Sequence, residues 1–355
     1  MKRNDSFLMP DYYIHFMCKM GECRHACCEG WPVSISRDDY FRLLGLECDA
    51  DLRRRIDCGA HILDHATPER YAQITHKYDG QCHMRMEDGR CAIQATLGED
   101  LLPEVCRLYP RALRTTGHNE CSCTASCERV IEMLFFRKEP LSLIEREIEY
   151  TPLRNGTNTV FDETSGNEQE FRLQLIKIIQ DRSLPLNRRI INLGKELKVE
   201  TKADNSECPI DTMRQIVSIL DEKSVSLCDY GVSILDQITS IDKYQVLKAV
   251  FESCYPDWQS GIENVIVNHL FYSRFPFGDE GMSFKDEFYA LCLIYALIRF
   301  LCIGAVGVSD GDEYLTDVLA AAFRMIEHMP FHKYASALMH GLGITDDNLI
   351  SLLSI

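Results

Sequence analysis

The chain has 355 residues, 46% hydrophobic and 26% charged, which is enough apolar material for a core that needs neither metal nor disulfides merely to fold. Its formal net charge of −16 argues against nucleic acid as the main partner, because a phosphate backbone asks for a basic stripe. The length allows one large domain or two ordinary ones, and 17 cysteines set the composition apart.

The first zone, residues 1–138, reads as a Cys-rich metal-binding domain of irregular structure. Residues Met1 to Met20 contain no long apolar run and carry Asp5 and Asp11, so no signal peptide is expected and the chain is read as cytoplasmic. In that compartment dense thiols serve metal or redox chemistry, not a disulfide framework. Cys18, Cys23, Cys27 and Cys28 form a first group. Trp31-Pro32-Val33-Ser34-Ile35 alternates like a strand but is too short to predict a sheet. Cys82 and Cys91 follow, flanked by Gly80 and Gly89, which allow tight turns. Cys106 opens Cys106-Arg107-Leu108-Tyr109-Pro110, and Cys121, Cys123 and Cys127 close the series.

Thiolates are soft ligands, and four of them suit zinc or an iron–sulfur cluster. Arg24, Arg85, Arg90, Arg107 and Arg111 would offset the negative charge of such a centre. The adjacent pair Cys27-Cys28 is unlike the separated pairs of a zinc finger, and the plain iron–sulfur runs are absent as well. Spacing therefore leaves iron against zinc, and one site against two, open. Cys48, Cys58, Cys208, Cys228, Cys254, Cys292 and Cys302 read as small buried hydrophobes. The zone ends in Glu128–Arg137, where Val130, Ile131, Leu134 and Phe135 repeat at helical spacing.

Residues 139–170 read as a connector, with turn formers in Thr151–Asn158 and Ser165–Asn167. Residues 171–355 read as a helical domain, which makes the fold mainly α. Phe171, Leu175, Ile178 and Ile179 make one apolar face; Ile210, Met213, Ile216, Val217 and Leu220 make a second, with Asp211 as its cap; Tyr244, Leu247, Val250 and Phe251 make a third. Phe284–Phe300 is apolar nearly all round and should be the most buried helix. Phe288–Val308 is the closest approach to a membrane span, but Arg299 near its middle favours a buried helix, and no transmembrane span is expected. Asn264, Asn268 and Phe271 share a helical face. The sequence leaves room for a homo-oligomer without specifying one.

Two resemblances bear on function. A first group containing a Cys-Cys pair, then a spaced Cys pair, then Cys-Arg-x-Tyr-Pro and a further Cys resembles the YkgJ-type cysteine-cluster domain, which holds zinc or iron. Met9-Pro10-Asp11-Tyr12-Tyr13, Cys28-Glu29-Gly30-Trp31, Glu263–Phe271 and Phe275-Pro276-Phe277 resemble the FliB family of flagellin lysine-N-methylases. That resemblance implies S-adenosylmethionine-dependent methylation of flagellin lysines in the bacterial cytosol. It also implies a [4Fe-4S] cluster held among Cys18, Cys23, Cys27, Cys28, Cys82, Cys91, Cys106, Cys121, Cys123 and Cys127.

Under this reading Tyr109 and Tyr13 are the candidate catalytic residues, and Asn264, Asn268 and Arg107 the candidate cofactor-binding residues. No Gly-rich strand-to-helix turn is present. Cys23-x3-Cys27 and Cys123-x3-Cys127 both lack the third cysteine of the radical enzymes, which argues against a radical mechanism. The alternative is a non-catalytic zinc- or iron-binding module that engages a protein partner.

Overall fold

A computed structural model describes residues 3–25, 27–29, 33–115, 117–150, 166–200, 209–224, 227–278 and 281–355. The side chains at 166, 228 and 229 lie outside this description. So do Gly30, Trp31 and Pro32 of the quoted motifs, the turn formers Thr151–Asn158, Ser165, and the cysteines 208 and 228 as predicted core residues. The chain divides into two compact units of discontinuous sequence: an N-terminal unit (1–8, 16–120, 145–163) and a C-terminal unit (9–15, 121–144, 164–355).

The N-terminal unit is more regular than expected. Its strands belong to two small sheets, β1 (Arg3–Pro10), β2 (Val33–Ile35), β3 (Ala60–Ile62), β4 (Ala72–Ile74), β5 (Arg111–Arg114), β6 (Glu120–Cys123) and β7 (Leu143–Tyr150), with β1, β6 and β7 continuing into the segments of the other unit. One sheet has the order β5-β6-β1-β7, with β1 and β6 parallel and Leu8 opposite Glu120. The other has the order β2-β4-β3, antiparallel throughout. Val33–Ile35 is thus a sheet strand after all. Its alternation spans only three residues, and the pairing comes from Ala72–Ile74, about forty positions away. Likewise β7 occupies part of the stretch read as connector.

Four short helices complete the unit: α1 (Arg37–Leu44), α2 (Ala50–Gly59), α3 (Ala92–Leu97) and α4 (Glu104–Leu108). Ser36 and Asp49 cap α1 and α2 by accepting the backbone N–H groups of Asp39 and Leu52. Val33, Ile35, Leu43, Leu52, Ile56, Ile74, Met84 and Ile93 form its core, and Cys28, Cys91 and Cys106 pack against the rim.

The C-terminal unit is helical, and the fold as a whole is mainly α, as the periodicity predicts. Its helices are α5 (Glu128–Phe135), α6 (Gly166–Ile179), α7 (Leu186–Glu196), α8 (Ile210–Lys223), α9 (Cys228–Gln237), α10 (Ile241–Cys254), α11 (Trp258–Tyr272), α12 (Phe284–Val308), α13 (Asp312–His328), α14 (Phe331–Gly341) and α15 (Leu349–Leu352). All three predicted apolar faces lie on helices, α6, α8 and α10.

Helix α12 is long and apolar enough to cross a membrane by length and composition, yet its most apolar window is 83% buried inside the protein, against α9, α10, α13 and α14. Each large apolar side chain so buried contributes about 1.5–3 kcal/mol. Arg299 is accommodated there by Glu252 at 3.0 Å, by the Tyr295 hydroxyl at 3.2 Å and by the face of Trp258 at 3.8 Å.

Helix α11 is buried on all sides from Gly261 to Phe271. Its Glu263 carboxylate has no exposed surface and accepts hydrogen bonds from Arg182 at 2.9–3.1 Å and from Arg189. Replacing Glu263 with Ala leaves two guanidinium groups unmatched, one of them buried. The expected loss is about 3–5 kcal/mol of unfolding free energy, read from urea denaturation; a loss below about 1 kcal/mol would place the ion pairs among surface contacts.

Candidate functional site

Five of the ten candidate thiols gather in the N-terminal unit. Cys82 and Cys91 each follow a tight turn, Lys77–Gln81 and Met86–Arg90. The Sγ of Cys82 accepts the backbone N–H of Met84 at 3.4 Å, while Cys91 stands at the N-cap of α3 without a side-chain cap bond. A backbone donor two residues ahead of a sulfur stabilises its thiolate form. The bridges His76–Cys82 and Arg85–Cys91 each close one of the two turns. Gly80 and Gly89 have φ of +80° and +83°, as the turns require.

The first cysteine segment is held against this double turn by backbone contact. A Cβ on Gly89 would stand 2.3 Å from the Gly21 carbonyl oxygen, so only glycine permits the approach. His76 Nε2–H donates to the Cys28 carbonyl at 2.8 Å, and Arg85 pairs with Glu29 at 3.2 Å.

The consequence is a convergence of sulfur. The Cys28 thiol is hydrogen-bonded to both the Cys27 and Cys82 thiols. Those bonds, with burial, push Cys28 far up. Cys82 is lowered by its bond to Cys28, against the opposing effect of burial, with help from the Met84 and Arg85 N–H groups and the Lys77 charge. Burial raises Cys91, and burial with the neighbouring charges of Cys27, Cys91 and Cys82 raises Cys106. The thiols are placed as hydrogen-bonded partners, not as a closed ligand shell: among the described residues no group of three or more His, Cys, Asp or Glu side chains could, as placed, hold a metal ion. In donor chemistry the set nevertheless fits a thiolate-bound group, since metal binding itself removes the thiol protons.

The other candidates are distributed differently. Cys18 is exposed and Cys23 half-buried, both in the N-terminal unit. Cys121, Cys123 and Cys127 belong to the C-terminal unit, the first two fully buried. Arg107 and Tyr109 are half-buried in the N-terminal unit at the end of α4, Arg107 3.9 Å from Glu104. Tyr13 is buried in the C-terminal unit. The two tyrosines thus fall in different units.

Asn264 and Asn268 are buried on α11 and engaged with protein partners. Asn264 accepts the Leu141 N–H at 3.0 Å and donates to the carbonyls of Leu134, Arg137 and Glu139. Asn268 donates to the Cys123 carbonyl at 3.0 Å and accepts the Tyr12 hydroxyl at 2.6 Å. Burial, with the nearby Cys123 thiol, holds Tyr12 well above the ordinary phenol range, so it acts as a neutral donor and not as a base. Sequence reasoning missed the backbone donor of Met84, since an N–H group leaves no trace in residue type. It also missed Lys77, a lone cation in a polar stretch.

Residues 210–353 match the family described as FliB lysine N-methylase C-terminal domain. A lysine-N-methylase of Salmonella choleraesuis (strain SC-B67) is 28% identical over 142 residues, which are 39% of this chain and 35% of that protein. A lysine-N-methylase of Salmonella typhimurium (strain LT2) is 27% identical over 143 residues, again 39% and 35%. The flagellar biosynthetic protein FliU of Salmonella muenchen is 28% identical over 141 residues, 39% of this chain and 82% of that protein. The chain therefore spans about a third of the length of the two lysine-N-methylases it matches. No solved structure matches.

The two turn glycines separate strain from collision. Gly80→Ala meets nothing within 4 Å and should cost only the left-handed backbone, about 1–2 kcal/mol. Gly89→Ala must also displace the Gly21 backbone, for a further loss of about 1–3 kcal/mol in denaturant unfolding. Equal losses would show that the Cys18–Cys28 segment does not rest on this turn.

Proposed function

We propose, from the premise that residues 210–353 are a FliB lysine N-methylase C-terminal domain, that the chain is a protein-lysine N-methyltransferase. Its methyl donor is S-adenosylmethionine, its substrate the lysine side chains of flagellin, and its place the cytoplasm. The observation that carries this reading is the domain match itself, joined by two curated relatives named as lysine-N-methylases and one as a flagellar biosynthetic protein. The surplus of negative charge on this chain suits a lysine-bearing partner.

Methylation of an amine is a substitution in which the nitrogen lone pair displaces sulfur from the methyl carbon of a sulfonium. A lysine has that lone pair only when neutral, and its ordinary pKa is about 10.4. The protein must therefore take the amine out of water, accept its proton, or do both. Tyr12, a buried neutral donor, positions Asn268 and the Cys123 backbone and takes no proton.

Cys27, Cys28, Cys82, Cys91 and Cys106 would hold an iron–sulfur cluster, with zinc as the alternative occupant. Such a group, once bound, supplies a fixed anionic centre and, if iron, electron-transfer capacity. The chain's own part is to present the sulfurs on the Gly21–Gly89 contact and to stabilise Cys82 with the Met84 N–H.

The test is metal and sulfide analysis of protein purified without oxygen, followed by methyl transfer from labelled S-adenosylmethionine to flagellin. About four irons and four sulfides per chain, with label on flagellin lysines, is the expected result. Zinc without sulfide would replace the cluster by a single-ion site and leave the methylase reading standing. Absence of label with folded, metal-loaded protein would overturn that reading in favour of a binding module.

A further inference from the structure

Four titratable side chains stand in line inside the C-terminal unit, each on a different helix. Glu327 Oε1 of α13 is 2.9 Å from His269 Nδ1 of α11. His269 Nε2 is 3.0 Å from His332 Nε2 of α14. His332 Nδ1 is 2.6 Å from Glu287 Oε2 of α12. The side chains of Glu327, His269 and Glu287 have almost no exposed surface, and that of His332 is 8% exposed. Burial lowers His269 below the ordinary histidine range, against the opposing pull of Glu327.

Each of these three hydrogen bonds needs one proton. Two protons make both imidazoles neutral, and the third sits on a carboxyl or converts one ring to imidazolium. In either case the four groups carry a net charge of −1, and every proton has a neighbouring site to move into. The two ends are unlike. Glu327 Oε2 accepts the Ala125 N–H at 2.7 Å and the Thr124 hydroxyl at 2.5 Å. Glu287 Oε1 is buried with no hydrogen-bond partner.

Beyond Glu327 the line continues outward. The Thr124 hydroxyl is 2.9 Å from the Ser126 hydroxyl, which is 2.8 Å from Nε2 of His328, a residue exposed at the end of α13. Arg324 and Tyr12 are the further charged or titratable groups within electrostatic reach of this outer half. Tying four helices together does not require an odd buried charge, since apolar packing does so at lower cost. Nor does it require two imidazoles in series.

We propose that this line is a proton relay, which receives a proton at Glu287 and delivers one to solvent at His328. The proposal rests on the methylase reading. For each methyl group accepted, an N–C bond forms, the S–C bond of the sulfonium breaks, and the lysine ammonium gives up one N–H proton. A proton arriving at Glu287 Oε1 is matched by one leaving Glu327 when the three bonded protons each advance one place. With the Thr124 hydroxyl turned from Glu327 toward Ser126, that outgoing proton passes from Glu327 Oε2 over the Thr124 and Ser126 hydroxyls to His328. His269, His332 and Glu327 are relay residues in this scheme, each passing its proton to the next in line.

The experiment compares full-length wild type with Glu287→Gln, Glu327→Gln and His328→Gln. Methyl transfer to flagellin is followed from about pH 6 to about pH 9, alongside thermal melting. The glutamines keep hydrogen-bonding capacity but neither take up nor release a proton in this range. Both Glu variants should lose at least about tenfold in kcat at neutral pH, recover toward high pH, and keep KM for flagellin within about twofold. His328→Gln should lose less and be rescued by added imidazole. Variants that melt like wild type and whose pH profiles superimpose on it would overturn the relay.

A second measurement decides the matter if a variant fails to fold or if wild type transfers no methyl group. Imidazole ¹⁵N resonances of the wild-type chain should show the His269 and His332 rings sharing one proton between their Nε2 atoms and titrating as a pair. Two independently titrating rings would overturn the relay. An inactive wild type with the shared proton intact would instead sink only the methylase reading.

Discussion

A polar side chain taken out of water must find a partner inside the protein, and helix α11 imposes that demand four times within seven residues. Glu263, Asn264, Asn268 and His269 are all buried. Glu263 draws in Arg182 and Arg189, which fixes the start of α7 and the turn before it. Asn264 binds the last carbonyls of α5 and the chain that follows, and Asn268 binds the chain that precedes α5. His269 faces α13 and α14. A helix that was merely apolar could slide or rotate at small cost. This one cannot move by a residue without orphaning a carboxylate or an amide, each a loss of kilocalories. The C-terminal unit is therefore specified in register by the polar residues of its most buried segments.

The N-terminal unit solves a different problem. Its strands are mostly three or four residues long and three of its four helices have fewer than ten residues, so regular structure supplies little constraint. Local devices take over: capped helix starts, two glycines in backbone contact, and turns whose N–H groups point at sulfur. Cysteines packed on the rim of a small apolar core are shielded on one side. The bond to Cys28 lowers Cys82 while burial raises Cys91 and Cys106, so the fold treats neighbouring thiols unequally.

What could be read from the sequence follows from these two strategies. Helices α6, α8, α10 and α12 announce themselves because an amphipathic or wholly buried helix writes its period into consecutive residues. Arg299 was legible as a misfit in a membrane span because one cation in an apolar run is conspicuous. The sheets were not legible: β2 is a three-residue strand whose partner is supplied from elsewhere in the chain. The thiols could be recognised as a chemical class but not sorted, since spacing along the chain does not say that Cys121, Cys123 and Cys127 fold with the helices and Cys82 and Cys91 do not. His269 stood inside a quoted motif, yet its partner His332 lies 63 positions on, and Glu287 and Glu327 are two acids among 54. No local pattern marks such a line, because its members meet only when four helices pack.

The same packing bears on where the family domain ends as a physical object. The matched stretch, residues 210–353, contains Glu263, Asn264, Asn268, His269, Glu287, Glu327 and His332. Their partners do not all lie within it. The cations on Glu263 come from Arg182 and Arg189, the carbonyls and N–H on Asn264 from Leu134 to Leu141, the hydroxyl on Asn268 from Tyr12, and two of the donors on Glu327 from Thr124 and Ala125. Residues 9–15, 121–144 and the helices α6 and α7 thus complete the polar interior of the matched helices, and they do so within one compact unit. Shorn of those segments, α11 would face water or apolar neighbours with a bare carboxylate and two amides, and Glu327 would lose the donors that distinguish its end of the histidine line. The self-satisfied structural unit is therefore the discontinuous one and not the contiguous matched stretch: segments outside residues 210–353 are needed before the buried charges of α11 and α13 are satisfied.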